Sequence, residues 1–173
     1  MGLYKFDGKM PKIHPDAYVS PRASVIGDVE IDADSSIWES AVLRADLNYI
    51  RVGKGTSIQD NVTVHTTFTN PSIIGDYVTV GHNSLIHACE IGDRTVVGMG
   101  AIVLDGAKVG NECVIGAGSV VTHGSIIPDR SLVLGIPGKV KNEVSDELLA
   151  SFIAGAELYI ELGKKHKAEL DNQ

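Results

Sequence analysis

An aliphatic residue recurs every six positions along most of this 173-residue chain. The series contains three additional residues before Val52 and four before Ile74, and the interval before Ile91 is one residue short. A period of six does not fit an amphipathic helix, whose apolar residues recur every three to four positions. It favours short strands joined by turns, which must stack as a solenoid to bury their apolar sides. The series comprises Ile13, Val19, Val25, Ile31, Ile37, Leu43, Val52, Ile58, Val64, Ile74, Val80, Ile86, Ile91, Val97, Val103, Val109, Ile115, Val121 and Ile127.

The composition agrees with strands and tight turns. The chain has 19 Gly, and aromatic residues make up only 5% of it, so its apolar content is mostly Val, Ile, Leu and Ala. Gly, Asn and Asp tolerate the backbone angles of tight turns, and they follow many of the aliphatic positions, as in IGDVE, VGKGTS and IGDYVT. β-Branched residues suit strands. We therefore predict an all-β solenoid.

The hexad pattern resembles that of the hexapeptide-repeat proteins. The resemblance implies a left-handed parallel β-helix of triangular cross-section, with three hexads in each coil. Nineteen hexad positions then predict roughly six coils. The handedness comes from the resemblance, because left-handed crossovers are rare in other folds.

The hexad pattern of apolar residues ends before residue 145, where a helical pattern begins. Ser145 is a candidate N-cap, and acidic residues follow it at the positive end of the helix dipole. We predict one domain, in which residues 1–144 form the β-helix and residues 145–170 form a helix packed on it. The expected apolar stripe of this helix consists of Leu149, Phe152, Ile153, Ala156 and Ile160.

Charge, hydropathy and cysteines exclude several classes of function. The formal net charge is -7 and no basic stripe is present, so we expect no nucleic-acid partner. No apolar run approaches the roughly 20 residues of a membrane span. Cys89 and Cys113 form no CxxC pair, which favours a reduced, cytoplasmic setting.

The hexad register places two histidines together. His65 follows Val64 by one position and His87 follows Ile86 by one, and these two hexads are one full coil apart. Adjacent strands lie ~4.8 Å apart, so two imidazoles in this column can converge on one ion. His82 lies near a corner of the preceding face. Three histidines and an open position are the pattern of catalytic zinc.

The same register aligns further polar residues with the histidines. Arg44 falls in the column of His65 and His87, and Asp60 falls in the column of His82, with Gln59 beside it. The simplest way to unite the three histidines is a subunit interface, with His82 contributed by a neighbouring chain. A closed threefold arrangement then gives three equivalent sites.

These segments are similar to the γ-class carbonic anhydrases over nearly the whole chain. The matching stretches are SAVLRADL, IQDNVTVHTT, VTVGHNSLIHACEIGD and LVLGIPGKV. The resemblance implies a homotrimer that reversibly hydrates carbon dioxide to bicarbonate with a hydroxide held on Zn²⁺, with Fe²⁺ or Co²⁺ as other ions for such a site. By matched position, it implies that His65, His82 and His87 are the metal ligands.

The resemblance also suggests roles for the surrounding side chains. It implies that Arg44 and Asp60 form an intersubunit salt bridge, that Gln59 orients the hydroxide, and that Asp46 supports this arrangement. A tyrosine of the C-terminal helix reaches the metal pocket in many relatives. Tyr159 is the candidate here, and packing on the coil is its other interpretation.

One departure from the family pattern bears on activity. The loops RADLNYIRV and TTFTNPSI lack the acidic proton-transfer residues of the active members, so we expect slow proton transfer. Three other functions stay open. They are acyl transfer from coenzyme A with a histidine as general base, a non-catalytic metal-binding or assembly role, and metal-dependent hydrolysis of another small substrate.

Overall fold

The computed structural model describes residues 2–172, which form twenty short strands followed by one helix. The strands are Gly2–Tyr4 (β1), Lys12–Ile13 (β2), Tyr18–Val19 (β3), Ser24–Ile31 (β4), Ser36–Ile37 (β5), Val42–Val52 (β6), Ser57–Ile58 (β7), Thr63–His65 (β8), Ser72–Ile74 (β9), Thr79–Val80 (β10), Leu85–His87 (β11), Glu90–Ile91 (β12), Val96–Val97 (β13), Ile102–Val103 (β14), Lys108–Val109 (β15), Val114–Ile115 (β16), Val120–Val121 (β17), Ile126–Ile127 (β18), Ser131–Leu134 (β19) and Lys139–Glu143 (β20). The helix α1 spans Asp146–Asp171.

Strands of successive coils pair in parallel along the molecule. One row runs β6, β8, β11, β14 and β17, and the row on the next face runs β5, β7, β10, β13 and β16. The fold is the left-handed parallel β-helix that the resemblance to the hexapeptide-repeat proteins implies, with about seven turns instead of six. The additional length lies at the two ends of the series. Gly2–Tyr4 pairs with β4 ahead of the first hexad, and β19 continues the row of β16 after the last.

The hexad residues form continuous columns inside the prism. Leu43 pairs with Val64, Val64 with Ile86, and Ile86 with Val103, and all four side chains are fully buried. Every other hexad residue is also buried, except Ile13, which is partly buried against the same core. Each coil therefore buries aliphatic surface only by stacking on its neighbours, as expected of a solenoid.

The first insertion in the repeat forms a bulge within β6, and the second leaves the coil as a loop. The pairing of β4 with β6 passes from Gly27 opposite Ala45 to Val29 opposite Ile50, so residues 46–49 bulge out of the ladder. Gly27 permits this close approach. Its φ is +80°, and a Cβ there would lie 2.3 Å from the carbonyl oxygen of Ala45. The second insertion, residues 66–71, leaves the coil directly after His65.

Helix α1 packs along the face built by β3, β5 and β7. Its N-cap is Ser145, as predicted, and the Ser145 Oγ accepts a hydrogen bond from the Leu148 N–H at 3.2 Å. Ala156 and Gly163 are the buried residues of the helix, whereas Ile153, placed in the stripe by the sequence, is 37% exposed. Strand β20, antiparallel to β19, leads the chain into the helix. Across residues 2–172, no helix is long and apolar enough to cross a membrane.

Candidate metal centre

His65 and His87 stand side by side at the ends of two paired strands. They are direct partners in the register of β8 with β11, because one coil separates their hexads. Their ring centroids are 5.2 Å apart, and His65 Nδ1 lies 3.1 Å from His87 Nε2. The register predicted for this pair is therefore confirmed.

Asp46 holds the outer nitrogen of His65. The bulge that follows Ala45 within β6 places the Asp46 carboxylate beside the His65 ring. The Nε2–H of His65 donates to Asp46 Oδ1 at 2.9 Å. Arg44 donates to the other oxygen of Asp46 and pairs with His65 in the strand register, as its column predicted. Burial opposes ionisation of Asp46, but the hydrogen bonds from His65 and Arg44 outweigh it, so the pKa of Asp46 lies below its usual value.

Asp105 holds the outer nitrogen of His87, and the sequence reasoning missed it. Its Oδ1 accepts a hydrogen bond from His87 Nδ1. Burial opposes ionisation of Asp105, but its contact with the His87 ring outweighs burial and lowers the pKa of Asp105 below its usual value. The hexad register contained the signal, because Asp105 follows Val103 by two positions and so begins the turn one coil beyond His87.

The chemistry of this pair favours a cation between the two rings. A neutral imidazole carries a proton on one nitrogen and a lone pair on the other. In the neutral forms of His65 and His87, the nitrogens that face the carboxylates donate to them, so the two nitrogens that face each other at 3.1 Å both present lone pairs. A proton or a metal ion removes that repulsion. Two nitrogens bound tetrahedrally to one zinc at 2.0–2.1 Å are about 3.3 Å apart, close to this separation.

His82 forms a third carboxylate–histidine pair. It lies in the turn between β10 and β11, and its Nδ1 lies 2.8 Å from Asp60 Oδ2. Asp60 belongs to the same column one coil earlier, as the register predicted. Gln59 is buried, and its side-chain oxygen accepts a hydrogen bond from the His82 N–H at 3.2 Å. All three histidines thus have one ring nitrogen held by an aspartate.

His82 and His87 occupy opposite ends of one face of the prism. They lie five residues apart in the chain, with His82 in the turn before β11 and His87 at the end of that strand. Within residues 2–172 of a single chain, no three His, Cys, Asp or Glu side chains are grouped closely enough to hold a metal.

Tyr159 packs on the coil beside the His82 end of this face. Its ring meets Trp38 edge-on, with centroids 5.8 Å apart. Burial and the nearby charge of Asp60 raise the pKa of Tyr159. The structure therefore places Tyr159 on the coil and within electrostatic range of Asp60, while its contact with a metal pocket stays a prediction. The contact of Arg44 with Asp60 across an interface also stays a prediction, because in one chain their partners are Asp46 and His82.

Comparisons with known proteins agree with this fold and these motifs. Residues 88–123 match the family model described as bacterial transferase hexapeptide (six repeats). The chain is 39% identical to a carbonic anhydrase of Geobacillus kaustophilus over 96% of this chain and 91% of the relative. It is 44% identical to gamma carbonic anhydrase 2, mitochondrial, of Arabidopsis thaliana over 93% of this chain, but it spans only 60% of that relative's length.

A solved structure shows the same architecture. The hexapeptide transferase family protein of Anaplasma phagocytophilum superposes with a TM-score of 0.91 at 39% identity, over 94% of this chain and 96% of that one. The similarity to the Geobacillus relative extends over nearly the full length of both chains. The chain therefore belongs to the γ-class carbonic anhydrase family of hexapeptide-repeat proteins.

Proposed function

We propose that this protein is a homotrimeric, metal-dependent carbonic anhydrase that interconverts carbon dioxide and bicarbonate. In this arrangement, each subunit interface joins His65 and His87 of one chain to His82 of the next around one divalent ion. The observation that carries the proposal is the pair of facing imidazole nitrogens 3.1 Å apart, with both outer nitrogens held by aspartates. The names of the relatives support the reaction.

Zinc is the ion that we propose, since three imidazoles and an open position suit its catalytic sites, while Fe²⁺ and Co²⁺ also bind imidazole. When bound, such an ion acidifies water and so makes a nucleophile available near neutral pH. The contribution of the protein is to fix its ligands before the ion arrives. Asp46, Asp60 and Asp105 each hold one nitrogen of a histidine, which leaves the other nitrogen as the donor.

The remaining residues position these ligands and the substrate. Gln59 holds the backbone of His82 and keeps its amide group beside the ligand, where we propose that it orients the attacking water. Arg44 neutralises Asp46 in its own chain and, in the trimer, lies against Asp60 of the neighbouring chain. Tyr159 lies within range of Asp60, on the side of the pocket that His82 provides.

Proton release is the weak step of this design. The loops around His65 supply no carboxylate of the kind that active relatives use, and residues 66–71 contain none at all. We therefore expect hydration to be slow in dilute buffer and to rise with buffer concentration, because the buffer accepts the proton. The cytoplasmic location stays a prediction from the unpaired cysteines.

The test is stopped-flow hydration of carbon dioxide by protein of measured metal content, beside His82→Ala. Activity that scales with bound metal and disappears in His82→Ala supports the proposal. Full metal occupancy without hydration would refute the anhydrase activity and leave the metal site. The Anaplasma relative belongs to a transferase family, so acetyl-coenzyme A turnover should be measured in the same samples.

A further inference from the structure

We infer that Asp105 is a positioning residue of the metal centre, which fixes the tautomer of His87 and supplies the negative charge that strengthens metal binding. This inference rests on the proposed metal site. Asp105 lies outside the motifs through which the chain resembles its family. The contact between Asp105 Oδ1 and His87 Nδ1 assigns it to the centre.

The turn that carries Asp105 is fixed on both sides. The N–H of Gly106 donates to the carbonyl of Ala88 at 2.8 Å, and the N–H of Gly124 donates to the carbonyl of Asp105 at 2.9 Å. Gly106 has φ +66°, which a side chain would strain. The carboxylate is therefore held over His87 by backbone contacts to the coils below and above it.

The tautomer of His87 follows from this contact. Asp105 accepts a hydrogen bond from the Nδ1–H of His87, so Nε2 keeps the lone pair that faces His65 Nδ1. The other tautomer would place a proton on the nitrogen that must bind the ion. Carboxylates that hold histidine ligands in this way commonly contribute 10–100-fold to metal affinity.

Asp105 differs from the other two aspartates in that no arginine in the described part of the chain pairs with its negative charge. Arg44 pairs with Asp46, and in the proposed trimer Arg44 also meets the neighbouring Asp60. Among residues 2–172, the salt-bridge contact of Asp105 is with His87 alone. His123, one coil further on in the same column, is a surface imidazole whose charge acts on Asp105 at longer range.

The test compares Asp105→Asn with Asp129→Asn as a matched control. Asp129 is also a corner carboxylate, and it caps the Asn111 N–H at 2.7 Å, away from the histidines. Both variants lose one charge. We expect the dissociation constant for zinc, measured by competition with a chromophoric chelator, to rise about 10–100-fold in Asp105→Asn and to stay at the wild-type value in Asp129→Asn.

A second readout separates positioning from a structural role of the turn. The visible spectrum of the Co²⁺-loaded protein should change in Asp105→Asn, while the unfolding midpoints of the two metal-free variants should fall by similar amounts. Asp105→Glu, which keeps the charge, should recover part of the affinity. Wild-type affinity and an unchanged Co²⁺ spectrum in Asp105→Asn would overturn this inference alone. A wild-type protein that binds no metal would overturn the proposed site together with it.

Discussion

Mixed trimers test directly whether the metal site is shared between chains. His65→Ala removes a ligand from the half-site with His87, and His82→Ala removes the ligand that a neighbour supplies. Each variant alone should lose most of its bound metal at every interface. In a mixed trimer, an interface is intact when its His65–His87 half comes from the His82→Ala chain and its His82 comes from the His65→Ala chain.

The expected recovery follows from the two unlike halves of each interface, since one chain supplies His65 and His87 and the next chain supplies His82. In a 1:1 mixture, each half of an interface has an even chance of coming from either chain, so about one quarter of the sites should be restored. Zinc content and hydration rate should both return to about one quarter of the wild-type values in the unfractionated mixture, and to about one third in isolated mixed trimers, because each of these has one intact interface in three. The observation behind this sharing is that, within residues 2–172 of one chain, His82 forms no metal-holding group of three ligands with His65 and His87.

A second mixture provides the control. His65→Ala mixed with His87→Ala damages the same half-site in every chain, so no interface is intact and no metal should return. The subunits are exchanged by co-expression, and each mixed species is isolated through two different affinity tags. Failure of the His65→Ala and His82→Ala mixture to bind metal, in isolated mixed trimers, would refute the shared site. Equal recovery in the control mixture would refute it as well.

Three further predictions concern the core, a buried thiol and the assembly. Ile86→Ala, in a fully buried column, should lower the free energy of unfolding in urea by about 2–5 kcal/mol, whereas Ile126→Ala, at a 77% exposed side chain, should leave it nearly unchanged. Burial raises the pKa of Cys89 to about 12, so the thiol should resist a thiol reagent at pH 8 until the protein unfolds. Arg44→Ala should shift the sedimentation of the trimer toward smaller species while the far-UV spectrum of the β-helix persists. An unchanged trimer would contradict the salt-bridge role.

The sequence was sufficient to predict the architecture because the repeat specifies which side chain of every hexad is buried in the core. The hexad series predicted the buried columns from Val19 to Ile127, and the structure confirms them. It predicted too few turns because β1 and β19 lie beyond the ends of the series. The register also predicted the stacking of His65 on His87 and of Asp60 on His82, since strand pairing fixes which residues are neighbours.

Side-chain partners could not be derived from the register alone. Asp46 reaches His65 only because residues 46–49 leave the ladder, and the direction of a bulge depends on local backbone angles. Asp105 was missed because it lies one place beyond the column of His87, and strand register does not show that its side chain reaches back to that ring. Ile153 was assigned to the packed stripe of α1 from its spacing, but the helix meets the coil closely at Ala156 and Gly163 and leaves Ile153 at the edge.

The irregular points of the repeat coincide with the candidate centre. The first insertion carries Asp46, the second follows His65 directly, and the shortened interval between Ile86 and Ile91 contains His87. A regular solenoid is the most stable way to stack such hexads, so each break gives up pairing that an uninterrupted repeat would retain. Local departures from a structural rule are expected where function requires them. All three departures adjoin His65 or His87, and the first carries the Asp46 carboxylate to the His65 ring, so we infer that the first insertion was retained because it holds that carboxylate on the imidazole. Restoring the regular repeat at residues 46–49 should therefore raise the stability of the metal-free protein and weaken its affinity for zinc.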